Sequence, residues 1–218
     1  MVLRILRLAR HAGWAALLLA CAAASACSNN PAPVADAFIA ATVGVGAQSG
    51  PQLCNFGTVQ QWLGVGSPVG GTKPVTAQDG SNQAGSTVHV ACTVSTSGGG
   101  FDVNANVTQE GLSGGSVTIT SPSGAGAVTT SGGSGITGVF QSGTYGTYRE
   151  TDCTISFTYN GQTGYSGNDP PIAGGRIWGH ISCPSAQVNG QTVQGPDGGT
   201  QNRQCDAEAD FLFEQCGL

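Results

Sequence analysis

From residue 54 onward, apolar and polar positions alternate in short runs, and clusters of Gly, Ser, Asn and Asp separate the runs. A period of two places successive side chains on opposite faces of a strand. In 101–107, Phe101, Val103, Ala105 and Val107 share one face, and Asp102, Asn104 and Asn106 the other. Residues 86–95 are rich in β-branched side chains and carry Cys92. Val117 and Ile119 mark a strand after the Gly114-Gly115 turn, and Ile136, Val139 and Phe140 mark another. In 151–159, Cys153, Ile155, Phe157 and Tyr159 lie together. Asn160-Gly161 then signals a two-residue hairpin, because both central residues of a type I′ turn need positive φ. Ile177, Gly179, Ile181 and Cys183 group against Trp178, His180 and Ser182. Residues 205–216 fit a strand or a short helix. The alternation of Asp206, Glu208 and Asp210 with Ala207, Ala209 and Phe211 favours the strand. The pattern predicts an all-β domain: an antiparallel β-sandwich, with a jelly roll as one admissible topology, held by three disulfides.

The first 26 residues follow a different rule. Arg4, Arg7 and Arg10 precede an apolar run that starts at Trp14 and continues through small residues to Ala26. A permanent membrane helix needs about 20 apolar residues. The shorter run reads as a signal helix for export, removed afterwards. Leu18-Leu19-Ala20-Cys21 matches a bacterial lipobox, in which the Cys becomes the lipid-bearing first residue. Ala24-Ser25-Ala26-Cys27 is a second candidate and also fits an ordinary A-x-A cleavage site. Cysteine arithmetic separates them. Cys54, Cys92, Cys153, Cys183, Cys205 and Cys216 form an even set downstream. Acylation of Cys27 discards Cys21 and lets all six pair. Acylation of Cys21 strands Cys27 as an odd thiol, which an oxidising compartment disfavours. Cys27 is therefore the expected lipid site and Cys21 the alternative, with plain secretion as the rival. The division expected is a signal peptide at 1–26, a lipid-attachment site and flexible tether at 27–50, and the β-domain at 51–218. The later part of 28–50 is small and apolar, and reads also as a first strand.

Composition sharpens this picture. The chain has 218 residues, 36 of them Gly, and only 9% are charged. Long helical bundles need Ala/Glu/Lys/Leu-rich runs that are missing here. Without the leader, Lys73, Arg149, Arg176 and Arg203 stand against twelve acidic residues. Such a surface repels nucleic acid and anionic headgroups, so any membrane contact rests on acyl chains. Glycine inside an element costs about 0.5–1 kcal/mol relative to alanine. Disulfides worth about 2–4 kcal/mol each offset much of that. Six cysteines allow fifteen connectivities. Cys183 with Cys205 is the favoured pair, since the polar, Gly-rich segment between them reads as an excursion pinned at its base.

Candidate chemistry is sparse. Gly111-Leu112-Ser113-Gly114-Gly115 matches G-x-S-x-G, but a nucleophile elbow opens a helix and this one precedes a strand. His89 and His180 sit in predicted strands without metal-ligand spacing. Asp79, Asp169 and Asp197 lie in Gly/Asn-rich loops, and Glu150 and Asp152 share a face, yet no calcium-loop pattern occurs. No catalytic residue, metal or cofactor is expected. Trp178 and His180 point outward, and with Tyr145 and Tyr148 they form the candidate platform for a sugar ring or peptide. Trp62 has the same ambiguity between platform and core.

Gly175–Pro184 (GRIWGHISCP) followed by Cys205–Cys216 (CDAEADFLFEQC) resembles the C-terminal part of uncharacterised exported lipoproteins of myxobacterial type. The resemblance covers the last quarter of the chain and the leader style, and it implies no activity. His89-Val90-Ala91-Cys92 is more loosely similar to the V-x-C strand of small mycobacterial lipoprotein antigens, which lack the six-Cys set. The expected function is a lipid-anchored cell-envelope protein, at the outer membrane or cell surface, with a non-catalytic structural or binding domain. Its expected partners are the membrane through the lipid, and a glycan or envelope protein, with no nucleic acid. The alternatives are a carbohydrate-binding or adhesive module using exposed aromatics, and a hydrolase with an unrecognised site.

Intact mass of the mature protein tests the arithmetic. Reduction should add about six protons, and the unreduced protein should hold no free thiol. Thiols in untreated material contradict full pairing.

Overall fold

Alternation and glycine turns translate into strands nearly everywhere. The computed structural model describes residues 32–69, 73–111, 114–159, 162–163, 170–194 and 198–218. The signal segment 1–26, Cys21, Cys27, Ser113, Asp169 and Asp197 lie outside them. The strands are β1 (Asp36–Gly44), β2 (Gln60–Val65), β3 (Ala77–Gln78), β4 (Asn82–Gln83), β5 (Ser86–Ser97), β6 (Gly100–Gln109), β7 (Gly115–Thr120) and β8 (Val128–Thr129). They continue as β9 (Gly132–Ser142), β10 (Gly146–Ser156), β11 (Thr158–Tyr159), β12 (Gln162–Thr163), β13 (Ile172–Ala173), β14 (Arg176–Gln194) and β15 (Thr200–Glu214). One short helix, α1 (Gly50–Leu53), precedes Cys54.

One antiparallel sheet carries the order β2-β1-β15-β14-β10-β9-β7-β6-β5-β4. The long strands β5, β6, β7, β9, β10, β14 and β15 are neighbours in chain order, a meander rather than the Greek-key crossings of a jelly roll, and β11 and β12 form a separate two-stranded sheet. The sheet folds over so that its inward face packs on itself, as the two layers of a sandwich do, and β2 lies against β7 and β9. Inward side chains are graded in size across the strands. Ile39, Phe211 and Gly179 share one row, and Ala41, Ala209 and Ile181 the next. A Cβ on Gly179 would stand 3.2 Å from Phe157 and 3.3 Å from Phe211. The bare glycine thus makes room for both rings.

Asp36–Gly44 is a central strand, with Phe38 and Ile39 fully buried. The domain therefore starts at 34 rather than 51, and the expected tether at 27–50 is too long. The hairpin expected at 160–161 fits the register: Tyr159 pairs with Gln162, leaving two residues between, which lie outside the described set.

The disulfides are Cys54–Cys205, Cys92–Cys216 and Cys153–Cys183. The expected Cys183–Cys205 bond does not form. The segment between them is no loop excursion, since it forms the long arms of β14 and β15, paired as far as Gln194 with Thr200. Backbone hydrogen bonds already hold that base. Cys183 faces Ala207 and Cys205 faces Ala186, so the two sulfurs are offset along the ladder and each finds a partner elsewhere. Cys183 reaches β10. Between the pairs Arg149–Gln187 and Thr154–Ser182 the β10–β14 ladder is interrupted, with irregularities on both strands. The Cys153–Cys183 bond spans the gap.

Gly138 on β9 lies over this bond. A Cβ there would stand 2.5 Å from the Cys183 Sγ and 3.0 Å from the Cys153 Sγ. Gly138→Ala should therefore destabilise the domain by about 1–3 kcal/mol through overpacking. In a Cys153→Ala/Cys183→Ala background the penalty should largely vanish, which chemical denaturation of the four variants measures as a coupling energy. Equal penalties in both backgrounds would refute the packing account.

Candidate functional site

The candidate platform residues split into two separate places. Trp178 lies on the outward face, as the alternation predicts, but it is only 4% exposed. It stands in a cross-strand row with Leu212 and Phe38, both also buried. Gly66, in the segment after β2, approaches Phe38, and the backbone N–H of Trp178 donates to the Pro171 carbonyl at 2.8 Å. These residues form a small second core on the outer face, and Trp178 is no stacking surface. Tyr148 is also buried. It pairs with Val188, ten residues along β14 from Trp178, roughly 30 Å at the usual strand rise.

Tyr145 and Tyr148 instead join Phe56 and Trp62. The turn between β9 and β10 presents Tyr145, where the Ser142 Oγ accepts the backbone N–H groups of Thr144 and Tyr145. The Cys54–Cys205 bond fixes the start of the segment that carries Phe56. The Tyr148 hydroxyl donates to the Asn55 Oδ1 at 3.4 Å. Trp62 lies 5.6 Å from Tyr145 at an interplanar angle of 34°, and 5.4 Å from Tyr148 at 87°. Phe56 meets Tyr145 edge-on at 5.4 Å and Trp62 at 5.9 Å. These are favourable offset and edge-to-face geometries. Trp62 is 6% exposed and its indole N–H has no hydrogen-bond partner among the described residues, whereas Tyr145 is 45% exposed.

A groove of roughly 390 Å³ ends at the same turn, lined by Thr108, Gln109, Glu110, Ser116, Gln141 and Gly143. Gly115 also lines it, and its Cβ position stands 3.5 Å from the Trp62 carbonyl. Of the G-x-S-x-G run, Gly111 and Gly114 lie between β6 and β7, where the Gly114 N–H donates to the Gly111 carbonyl; Leu112 and Ser113 lie outside the described residues.

Both histidines are held between carboxylates. The His180 Nδ1 lies 2.8 Å from the Asp210 Oδ1, and its Nε2 3.6 Å from the Glu208 Oε2. The His89 Nδ1 lies 3.6 Å from Asp79, and its Nε2 3.2 Å from Glu110. Strand register creates the first clamp, because His180 faces Asp210 directly across β14–β15. The Asp210 hydrogen bond holds the His180 pKa above its ordinary value. Burial opposes this, and the charges of Asp210, Glu208 and Asp206 add to it. Burial also pushes the Asp206 carboxyl up, assisted by Glu208 and opposed by His180. Glu150 is raised by burial too, although it accepts the Ser185 N–H at 2.8 Å. Glu150, Cys153 and Cys183 bring their ligand-type atoms within 4.8 Å of one another, but both sulfurs are spent in the disulfide.

Folded His180 keeps its proton to higher pH than the unfolded chain does. Its contribution is full below about pH 6.5, the unfolded value, and is lost as pH rises through the folded value. Thermal unfolding should show wild type losing about 1 kcal/mol more than His180→Gln between pH 6 and 9, a modest term because the side chain is 26% exposed. Parallel pH profiles would refute the clamp.

Phe56 is the residue that sequence reasoning missed. It follows Cys54 in a loop, whose start the Cys54–Cys205 bond fixes and whose Asn55 accepts the Tyr148 hydroxyl. Comparison of the chain with family models, with curated proteins and with solved structures yields no match.

Proposed function

We propose that the chain is an exported cell-envelope protein, anchored by lipid at Cys27, whose β-domain serves a non-catalytic binding or structural role. The carrying observation is that all six downstream cysteines are closed into three disulfides. Such bonds persist in oxidising compartments, and an even set leaves no thiol waiting for a partner. The compact unit begins at Val34, and eight residues of sequence lie between Cys27 and the start of β1 at Asp36.

The arrangement of the histidines favours a non-catalytic role. A general base must have one ring nitrogen directed at a nucleophile or substrate. In His89 and His180 both ring nitrogens face carboxylates. The cavities at the β6–β7 turn, at the β10–β14 gap and beside Asp206 are lined by neither histidine.

Detergent phase partitioning of the expressed protein tests the anchor. Wild type and Cys21→Ser should enter the detergent phase, and Cys27→Ser should stay in the aqueous phase. Release by Cys21→Ser alone would move the lipid to Cys21. Aqueous partitioning of wild type would establish secretion without lipid.

A further inference from the structure

The geometry points to a binding site for a neutral oligosaccharide, formed by the exposed ring of Tyr145 and the polar groove that ends at its turn. The inference rests on the reading of the domain as a non-catalytic binding module, and names the ligand class it would take. Two observations carry it.

The first is the construction of the ring. Tyr145 is 45% exposed at a hairpin tip, a place where a bulky aromatic gains little from burial. It is nevertheless held in place. Trp62 backs it at 34° and Phe56 meets it edge-on, while the Ser142 Oγ fixes the turn beneath. A ring supported in this way loses little freedom when a ligand covers it. Its π face is electron-rich and complements the weakly positive C–H groups on the apolar face of a pyranose.

The second is the groove. Its side chains are mostly hydroxyls and amides, from Thr108, Gln109, Ser116 and Gln141. These groups both donate and accept, which matches the hydroxyls of a sugar rather than the fixed polarity of an ion. Gly115 and Gly143 keep the backbone bare on the side nearest the turn. Its volume, roughly 390 Å³, falls in the range of small-molecule sites.

Charge selects among sugars. After leader removal the chain has four basic and twelve acidic side chains, and Glu110 lines the groove. Anionic polysaccharides are repelled, so a neutral glycan is the occupant.

The mature, full-length protein, in detergent if lipidated, should be titrated calorimetrically with cellohexaose, maltohexaose, laminarihexaose, chitohexaose and hexagalacturonate. At least one of the four neutral hexasaccharides should bind, and hexagalacturonate should not. Tyr145→Ala should weaken binding at least about tenfold, while Tyr145→Phe should stay within about threefold of wild type. Tyr145→Phe should keep the wild-type melting temperature, and Tyr145→Ala, which loses its packing on Trp62 and Phe56, should melt lower but remain folded at the titration temperature. Gln141→Ala, on the opposite side of the turn, should also weaken binding. A blank panel, binding indifferent to Tyr145→Ala, or a preference for hexagalacturonate would overturn the site. A blank panel with a protein that still enters the detergent phase leaves the envelope reading intact. Cleavage of a bound oligosaccharide overturns the non-catalytic reading and leaves the site standing.

Discussion

An open antiparallel sheet has two edges of unpaired N–H and C=O groups, and the whole arrangement depends on how the β5 edge is satisfied. Irregular pieces cover it from Val88 to Val94. The turn after β3 supplies bonds to both backbone groups of Val88, and the Asp79 carboxylate accepts the Val90 N–H. Gly217 of the C-terminal tail bonds to Cys92 and Val94, and Gly175 reaches the Val94 carbonyl. Since β3 pairs with β1, the sheet returns to its own beginning. At the β2 edge, the Gln83 side-chain amide bonds to both the N–H and the C=O of Gly66 at 3.0 and 3.3 Å, doing the work of a backbone bridge. Exposed edges invite pairing with other chains, and in this fold these contacts occupy part of each edge internally.

The disulfides act on that closure. Cys92–Cys216 fastens the tail to the strand whose edge it covers. Cys54–Cys205 fixes the segment after α1 against β15, which positions Phe56 in the aromatic cluster. Cys153–Cys183 joins two strands where their ladder is broken. Each bond thus stands where hydrogen bonding is irregular, and cross-linking compensates for a chain with 36 glycines.

The strands were legible because one face is buried and the other wet. In β6 and β15 the alternation in sequence is the alternation in burial. β1 was only half legible, because seven of its nine residues are buried and a run apolar on both faces has no period of two. The fate of Trp178 was illegible for a related reason. Alternation tells which face a side chain takes, not whether another segment covers that face. The aromatic cluster depends on contacts between residues 56, 62, 145 and 148, whose spacing carries no signal. The sulfur pairing needed the register, in which Cys183 and Cys205 are displaced from each other by the arms of their own hairpin.

The connectivity has a consequence for biogenesis. Joining cysteines in chain order would link Cys54 to Cys92, Cys153 to Cys183 and Cys205 to Cys216, and only the middle bond of these occurs in the fold. The other two native bonds interleave, and both wait for the final fourteen residues. A polypeptide oxidised in strict chain order as it emerges would hold two wrong bonds, which thiol exchange must undo. Maturation calls either for a delay of oxidation until the C-terminus has arrived, or for a disulfide isomerase in the compartment that receives it.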